Sequence, residues 1–232
     1  MPQTRQRREL AVADLTVVCV LRPGGDFDAS WVWALKRACN RHMGVPFEFR
    51  CITHVESIGM WRIPPLYDWP KWWSKLDIFR PGIFPGPVLY MDLDTLPVAD
   101  MSDIASYRGE FAGISDFYRS RNGKVGPLQS GVMAFTPGPV TWQLWERFVA
   151  DPEKNMRKYR GDGEWIAAHV PKADRLQSLY PGQIVSFKAD AKAGPPQNAR
   201  LVAGHGRPRF NSPAAGWAHR EWRSLAFAEE AA

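Results

Sequence analysis

A β-branched apolar run, an amphipathic helix and a second apolar run follow one another near the start of this chain, and that order constrains the fold most. "LTVVCVL" (15–21) is short, apolar along its whole length and stopped by "RPGGD", the pattern of a strand buried on both faces. The next stretch, "DASWVWALKRACNRHMG", repeats Trp31, Ala34, Leu35, Ala38 and His42 at helical spacing. Asp28 or Ser30 caps its start and Gly44 stops it. "FEFRCIT" (47–53) is the second strand. Strand, crossover helix, strand predicts a parallel sheet with helices on its faces. With 232 residues, 45% hydrophobic and 23% charged, the chain is expected to form one α/β domain over its whole length, 1–232.

The rest fits the same frame. "KWWSKLDIF" (71–79) predicts a short helix with Trp72, Leu76 and Phe79 inward, leading through "RPGIFPGP" into the strand "PVLYMDLDTLPV" (87–98). "EFAGIS" (110–115) and "SGVMAF" (130–135) read as strands, "VTWQLWERFVA" (140–150) and "GEWIAAHV" as helices, and "QIVSFKAD" and "ARLVAGHG" as short strands. From "AAGWAHREW" onward, 211–232 is expected to be a peripheral tail. Cys19, Cys39 and Cys51 are odd in number and lack CxxC spacing, which predicts reduced thiols in a cytosolic protein. No run reaches the ~18 apolar residues of a membrane span. The start, "MPQTRQRREL", is basic, but Asp14 interrupts the apolar stretch after it, unlike a secretory leader. The net charge of +6 suits an anionic partner, a nucleotide or a nucleic acid, although the basic residues are scattered: "RQRR", Arg119 to Lys124, Lys154 to Arg160 and Arg200 to Arg209.

Within "PVLYMDLDTLPV" two carboxylates interrupt an apolar strand. Alternate strand residues face one way, so Tyr90, Asp92 and Asp94 are expected on one side. Two unpaired charges in a core cost several kcal/mol or force protonation. Either the strand ends there and exposes them, or a cation sits between them. Ligands of parallel sheets bind at the carboxyl ends of strands. A phosphatase of the haloacid dehalogenase type also uses a DxD strand end, but it places a hydroxyl residue four after the first Asp. Here Thr95 follows by three and Leu96 takes the fourth place.

The passage "WWSKLDIFRPGIFPGPVLYMDLDTLPVADMSDI" resembles glycosyltransferases of the GT-A fold, most closely the family 8-like group typified by glycogenin and bacterial galactosyltransferases. In that group a lysine-bearing helix precedes a strand ending in "Y(L/M)DxDxL". "SGVM" at 130–133 is similar to its "NSGVM" strand, "GDGEWI" at 161–166 stands where it has "DQ" opening a helix, and "VAGHGRPRF" at 202–210 resembles its closing "HxGxxKPW". The resemblance runs from about Leu15 to Phe210. It implies a single GT-A domain with a mixed, mostly parallel sheet flanked by helices and a Rossmann-like, nucleotide-binding first half (about 15–105), followed by an acceptor half (about 106–210).

The resemblance also implies roles. Asp94 would bind Mn²⁺ or Mg²⁺, Asp92 the metal, the ribose or both, and His205 would be the third protein ligand; hard oxygens with one imidazole suit Mn²⁺. Arg209 replaces the usual Lys and would hold the donor diphosphate, with Gly206 beside it and Arg207 assisting. Lys75 would reach the donor from its helix. Leu21, Arg22, Gly24 and Gly25 would lie beneath the nucleotide. Asp162 would stand near the reacting sugar carbon with Gln129 close by, although "DG" replaces "DQ" and Glu164 is a substitute. His54 departs from the acidic or amide residue expected near the base. Trp69, Trp72 and Trp73 suit a sugar or base, while core packing accounts for at least two of them.

The implied activity is metal-dependent hexosyl transfer from a nucleotide-diphosphate sugar, by default a UDP-sugar, with retention. The acceptor would be a glycan or the hydroxymethylated base of phage-type DNA, in the cytoplasm of a bacterial or phage-infected cell. A non-catalytic nucleotide- or saccharide-binding module of the same fold is the alternative of a different class. A sugar-nucleotide pyrophosphorylase fits less well, since "LRPGGD" lacks the basic end of its glycine-rich loop.

Overall fold

The computed structural model describes residues 14–120 and 125–228. The "RQRR" run, the stretch weighed as a leader, and Lys124 lie outside them. Among the described residues ten strands occur in chain order: β1 (Leu15–Val20), β2 (Phe47–Ile52), β3 (Arg62–Ile63), β4 (Val88–Met91), β5 (Thr95–Pro97), β6 (Ala112–Ser115), β7 (Leu128–Phe135), β8 (Asp174–Arg175), β9 (Ile184–Ser186) and β10 (Leu201–Ala203). Seven build one mixed sheet in the order β3-β2-β1-β4-β7-β6-β8. β1 pairs parallel with β2 and β4, while β7 runs antiparallel to β4 and β6. The remaining three form a small sheet, β5-β10-β9.

The opening β–α–β unit forms as expected. The Asp28 carboxylate caps the Ala29–His42 helix by accepting from the Ser30 amide, and Gly44 follows its end with φ +70°. Both faces of the large sheet are covered, which is why β1 is buried from Leu15 to Cys19. Val17 and Cys19 face a core that includes Trp31, Leu35 and Ala38 from this helix. Val18, Val88 and Tyr90 face the opposite core, built around Trp73, Leu76, Phe79, Phe148 and Trp165. The three cysteines are buried and unbridged.

Residues 211–232 are not a peripheral tail where the structure describes them. The Trp217–Ala226 helix buries Ala218, Trp222 and Leu225 against the first helix, with the Trp222 and Trp31 rings 4.9 Å apart. Arg37 donates to the Leu225 carbonyl at 2.8 Å, and Arg41 pairs with Glu221 at 2.7 Å. Its apolar residues do recur at helical spacing in "WAHREWRSLA", but the charged residues between them masked the stripe. "QIVSFKAD" also divides, into β9 and a short helix Phe187–Asp190.

The paired aspartates sit where the chain passes from the large sheet to the small one. β4 ends at Met91; the Asp92 amide still donates to the Gly131 carbonyl at 2.8 Å, and the Thr95 amide closes a turn onto the Asp92 carbonyl at 3.0 Å. Asp92 and Asp94 therefore belong to a turn rather than to one face of a continuous strand. Tight packing holds this turn. A Cβ added at Gly204, just after β10, would lie 2.6 Å from the Asp94 carbonyl oxygen and 3.1 Å from the Phe210 ring. Gly204→Ala is expected to cost about 1–3 kcal/mol, measured by urea denaturation, because backbone rather than a mobile side chain must move.

Candidate active site

Two clefts meet at Trp72, Lys75 and Asp92. The first, about 540 Å³, runs along Arg22, Gly24, Gly25, Lys71, Asp94 and Arg209. The second, about 360 Å³, is bounded by Asp116, Tyr118, Gln129, Asp162 and His205. Trp69 and Trp73 pack against Phe148 in the core, whereas Trp72 is half exposed and borders both clefts.

Lys75 is the centre of the arrangement. It lies on the 3-10 helix Lys71–Phe79, is 6% exposed, and its Nζ is 2.9 Å from Asp92 Oδ1 and 3.0 Å from Asp162 Oδ2. Nζ also donates to the Ser130 carbonyl at 3.3 Å and hydroxyl at 3.2 Å. Burial pushes an ammonium towards neutrality, but the charges of Asp162 and Asp92 outweigh it and hold Lys75 above the usual lysine range. Ser130 Oγ donates to Asp162 Oδ2 at 2.5 Å. Asp162 opens the helix Asp162–His169, and Ser130 lies on β7, so three elements converge on one cation.

Asp92 accepts from the Tyr90 hydroxyl. Burial raises its carboxyl above the ordinary range, opposed by Lys75 and reinforced by Asp162. Burial and Asp92 likewise keep the Tyr90 hydroxyl protonated. Asp94 is pushed up to about 7, chiefly by burial and then by Asp92, with Arg209 and Lys75 pulling the other way. Its Oδ2 accepts from Arg209 Nη1. Arg209 stacks over Phe27, 4.8 Å from the ring centre, with Nε 3.5 Å from Asp26; Arg207 pairs with Asp26 at 3.1 Å.

Asp92, Asp94 and His205 are not gathered as a ligand set. Among the described residues no three His, Cys, Asp or Glu side chains converge to hold a metal. His205 Nε2 is instead 2.8 Å from Ser186 Oγ, and its ring stacks on Phe117. Burial and nearby Lys188 hold the imidazole below its usual pKa, so it stays neutral, the form that can ligate. The donor chemistry nevertheless fits a divalent cation. Asp92 and Asp94 are hard oxygen donors that line one cleft, the set that suits a divalent cation.

The other expected positions divide. Arg22, Gly24 and Gly25 line the first cleft, Arg22 paired with Asp68, and Gly24 has φ +86°. Leu21 does not: its side chain is 2% exposed and belongs to the core, because alternation turns Val20 and Arg22 to the cleft instead. Gly206 borders neither cleft and packs near Lys188. Gln129 and Asp162 line the second cleft; Glu164 accepts from the Arg160 amide instead of entering it. His54 sits 3.4 Å from Asp68. Sequence reasoning passed over Ser130 and Asp26. Ser130 carried a signal in "SGVM", a polar residue at an inward strand position, which needs a buried partner.

No protein-family model matches the sequence, and no curated protein matches it. Solved structures do. The galactosyltransferase LgtC, determined in complex with donor and acceptor sugar analogs, superposes with a TM-score of 0.63 at 12% identity, over 91% of this chain and 95% of that one. The glycosyltransferase GlyE of Streptococcus pneumoniae TIGR4 gives 0.64 at 12% identity over 94% of this chain and 61% of its own. The bifunctional glycosyltransferase WbbM gives 0.57 at 12% identity, over 97% of this chain and 51% of that one. This chain therefore spans about half to three-fifths of GlyE and WbbM. The class that the architecture defines is mixed α/β, with a seven-stranded, mostly parallel sheet flanked by helices. In particular, it has the GT-A glycosyltransferase fold, as the sequence resemblance implied.

Proposed function

We propose that this protein is a metal-dependent glycosyltransferase that moves a hexose from a nucleoside-diphosphate sugar, by preference a UDP-sugar, to a hydroxyl acceptor with retention. The observation that carries the reading is the Lys75 ammonium buried between Asp92 and Asp162 at the junction of the two clefts. A structural ion pair does not need to open onto two clefts; a donor–acceptor junction does. The fold it shares with LgtC, a galactosyltransferase held with donor and acceptor sugar analogs, supports the same assignment.

In this reading residues 15–105 form the donor half and 106–210 the acceptor half. The first cleft takes the nucleotide, with Arg22, Gly24 and Gly25 beneath it and Arg209 and Lys75 towards the diphosphate. Asp92 and Asp94, with His205, would hold Mn²⁺ or Mg²⁺, which would supply Lewis-acid stabilisation of the diphosphate leaving group. Asp162 faces the reacting sugar carbon. Its Oδ2 is held by Lys75 and Ser130, so the carboxylate is fixed before substrate arrives and can stabilise the developing positive charge without reorganising. Gln129 contacts the sugar from the rim. The acceptor enters the second cleft and is a glycan or a hydroxymethylated base in phage-type DNA. Among the described residues no helix is long and apolar enough to cross a membrane, and the cytoplasm of a bacterial or phage-infected cell is the proposed setting.

Release of UDP from a panel of UDP-sugars, in Mn²⁺ or in EDTA, tests this without a known acceptor. Release is expected in Mn²⁺, absent in EDTA, and reduced by about 10²-fold or more in Asp94→Asn. No release, together with no calorimetric binding of UDP in the presence of Mn²⁺, would overturn the reading.

A further inference from the structure

We infer that Arg209 is a latch on Asp94 that the donor diphosphate releases, so that nucleotide and cation bind cooperatively and the free enzyme is poor at holding the cation. The inference rests on the nucleotide-sugar reading above and goes beyond it. Three observations carry it. Arg209 Nη1 donates to Asp94 Oδ2, and this is the side-chain partner of Asp94 among the described residues. A cation approaching Asp94 therefore meets an oxygen already engaged and a positive charge beside it. Second, the guanidinium is not saturated: its buried Nε–H makes no hydrogen bond, Asp26 Oδ2 lying 3.5 Å away. Third, Arg209 lines the same cleft as Arg22 and Lys71, so an anion drawn in by those cations arrives where Arg209 can turn to it.

A diphosphate offers a guanidinium several anionic oxygens and forked geometry, a stronger partner than one carboxylate oxygen. When Arg209 exchanges Asp94 for phosphate, Asp94 regains a free oxygen and loses the neighbouring positive charge. By linkage, the factor by which UDP strengthens cation binding equals the factor by which the cation strengthens UDP binding. His205, on the same closing segment, is also tied off, on Ser186. Both side chains of that segment assigned to the donor site are thus engaged elsewhere until the donor arrives.

Binding of Mn²⁺ to the full chain, followed by electron paramagnetic resonance without nucleotide and then with saturating UDP, tests the latch. Arg209→Gln is expected to bind Mn²⁺ alone about tenfold more tightly than the wild type, and its further gain on adding UDP to shrink by a similar factor. Lys71→Gln removes one cation from the same cleft without touching Asp94, and is expected to change Mn²⁺ affinity by less than about threefold. Equal Mn²⁺ affinity in wild type and Arg209→Gln overturns the latch, as does an equal gain in Lys71→Gln. Should Arg209→Gln fail to fold, the ¹⁵N signals of the Arg209 side chain in the wild type decide. UDP without metal must shift them, and unchanged signals overturn the latch. If the wild type binds neither UDP nor Mn²⁺ under any of these conditions, the nucleotide-sugar reading fails first and the latch with it. Binding of both without coupling removes the latch alone.

Discussion

Lys75→Met is expected to lower the free energy of unfolding by about 3–5 kcal/mol, the largest single-residue effect predicted for this fold. The reason is what remains, not what is removed. Methionine fills the path of the lysine stem over the Tyr90 ring, but Asp92 and Asp162 are left facing each other across it with one cation fewer. Adding Asp92→Asn and Asp162→Asn to Lys75→Met removes the stranded charges and is expected to restore most of the loss. Urea denaturation of the single and triple variants measures both. Because the folded-state pKa of Lys75 is raised, its contribution is fully present below the ordinary lysine value of about 10.4. It is lost only as pH rises through the higher folded value. A triple variant no more stable than Lys75→Met would refute the stranded-charge account.

Asp94→Asn is expected to act in the opposite sense on stability while removing turnover. The folded pKa of Asp94, about 7, lies above the roughly 3.9 of an unfolded aspartate. The folded state therefore holds the Asp94 proton more tightly, and this group's contribution declines as pH rises from near 4 towards 7, then levels off. The gross penalty for ionising it is on the order of 4 kcal/mol. Asparagine avoids it but leaves Arg209 with Asp26 alone, so the net gain at pH 8 in EDTA is expected to be about 1–3 kcal/mol. The gain should vanish near pH 4, where the wild-type carboxyl is protonated as well. Thermal unfolding of the two proteins at both pH values measures it; a gain that does not change with pH would exclude Asp94 ionisation as its source. Such a residue, costly to the fold, is what a binding site retains and a scaffold does not.

The architecture was legible wherever local pattern and tertiary need coincide. β1 is buried on both faces from Leu15 to Cys19, so its run is almost wholly apolar and declares itself. Asp92 was legible because a carboxylate inside an apolar run demands a partner, whereas Lys75 stood out through the family resemblance alone. The partners themselves were not legible, since nothing local in "GDGEWI" says that Asp162 meets a lysine on a helix far upstream. Strand alternation misplaced Asp94 because the chain leaves one sheet for another between Met91 and Thr95, and periodicity carries no mark of such a handover. The metal trio failed as a preassembled set for a similar reason: the motif supplies ligand types, while Ser186 and Arg209 compete for two of them. The terminal helix was lost among its charges, although Trp222 and Leu225 carry its contacts.

The small three-stranded sheet has a consequence for the order in which the molecule assembles. Asp94 and Arg209 are 115 residues apart, and they meet because Leu201–Ala203 pairs antiparallel with Thr95–Pro97. A nascent chain on the ribosome can build the parallel core from its early strands, because those pairings are close in sequence. The paired-aspartate turn then waits, without its arginine neighbour, until β10 has emerged. Closing so long a loop is slow, so completion of this cleft belongs, with docking of the terminal helix on Arg37, to the late events of folding. A chain arrested before β10 would be a folded sheet with an unfinished site.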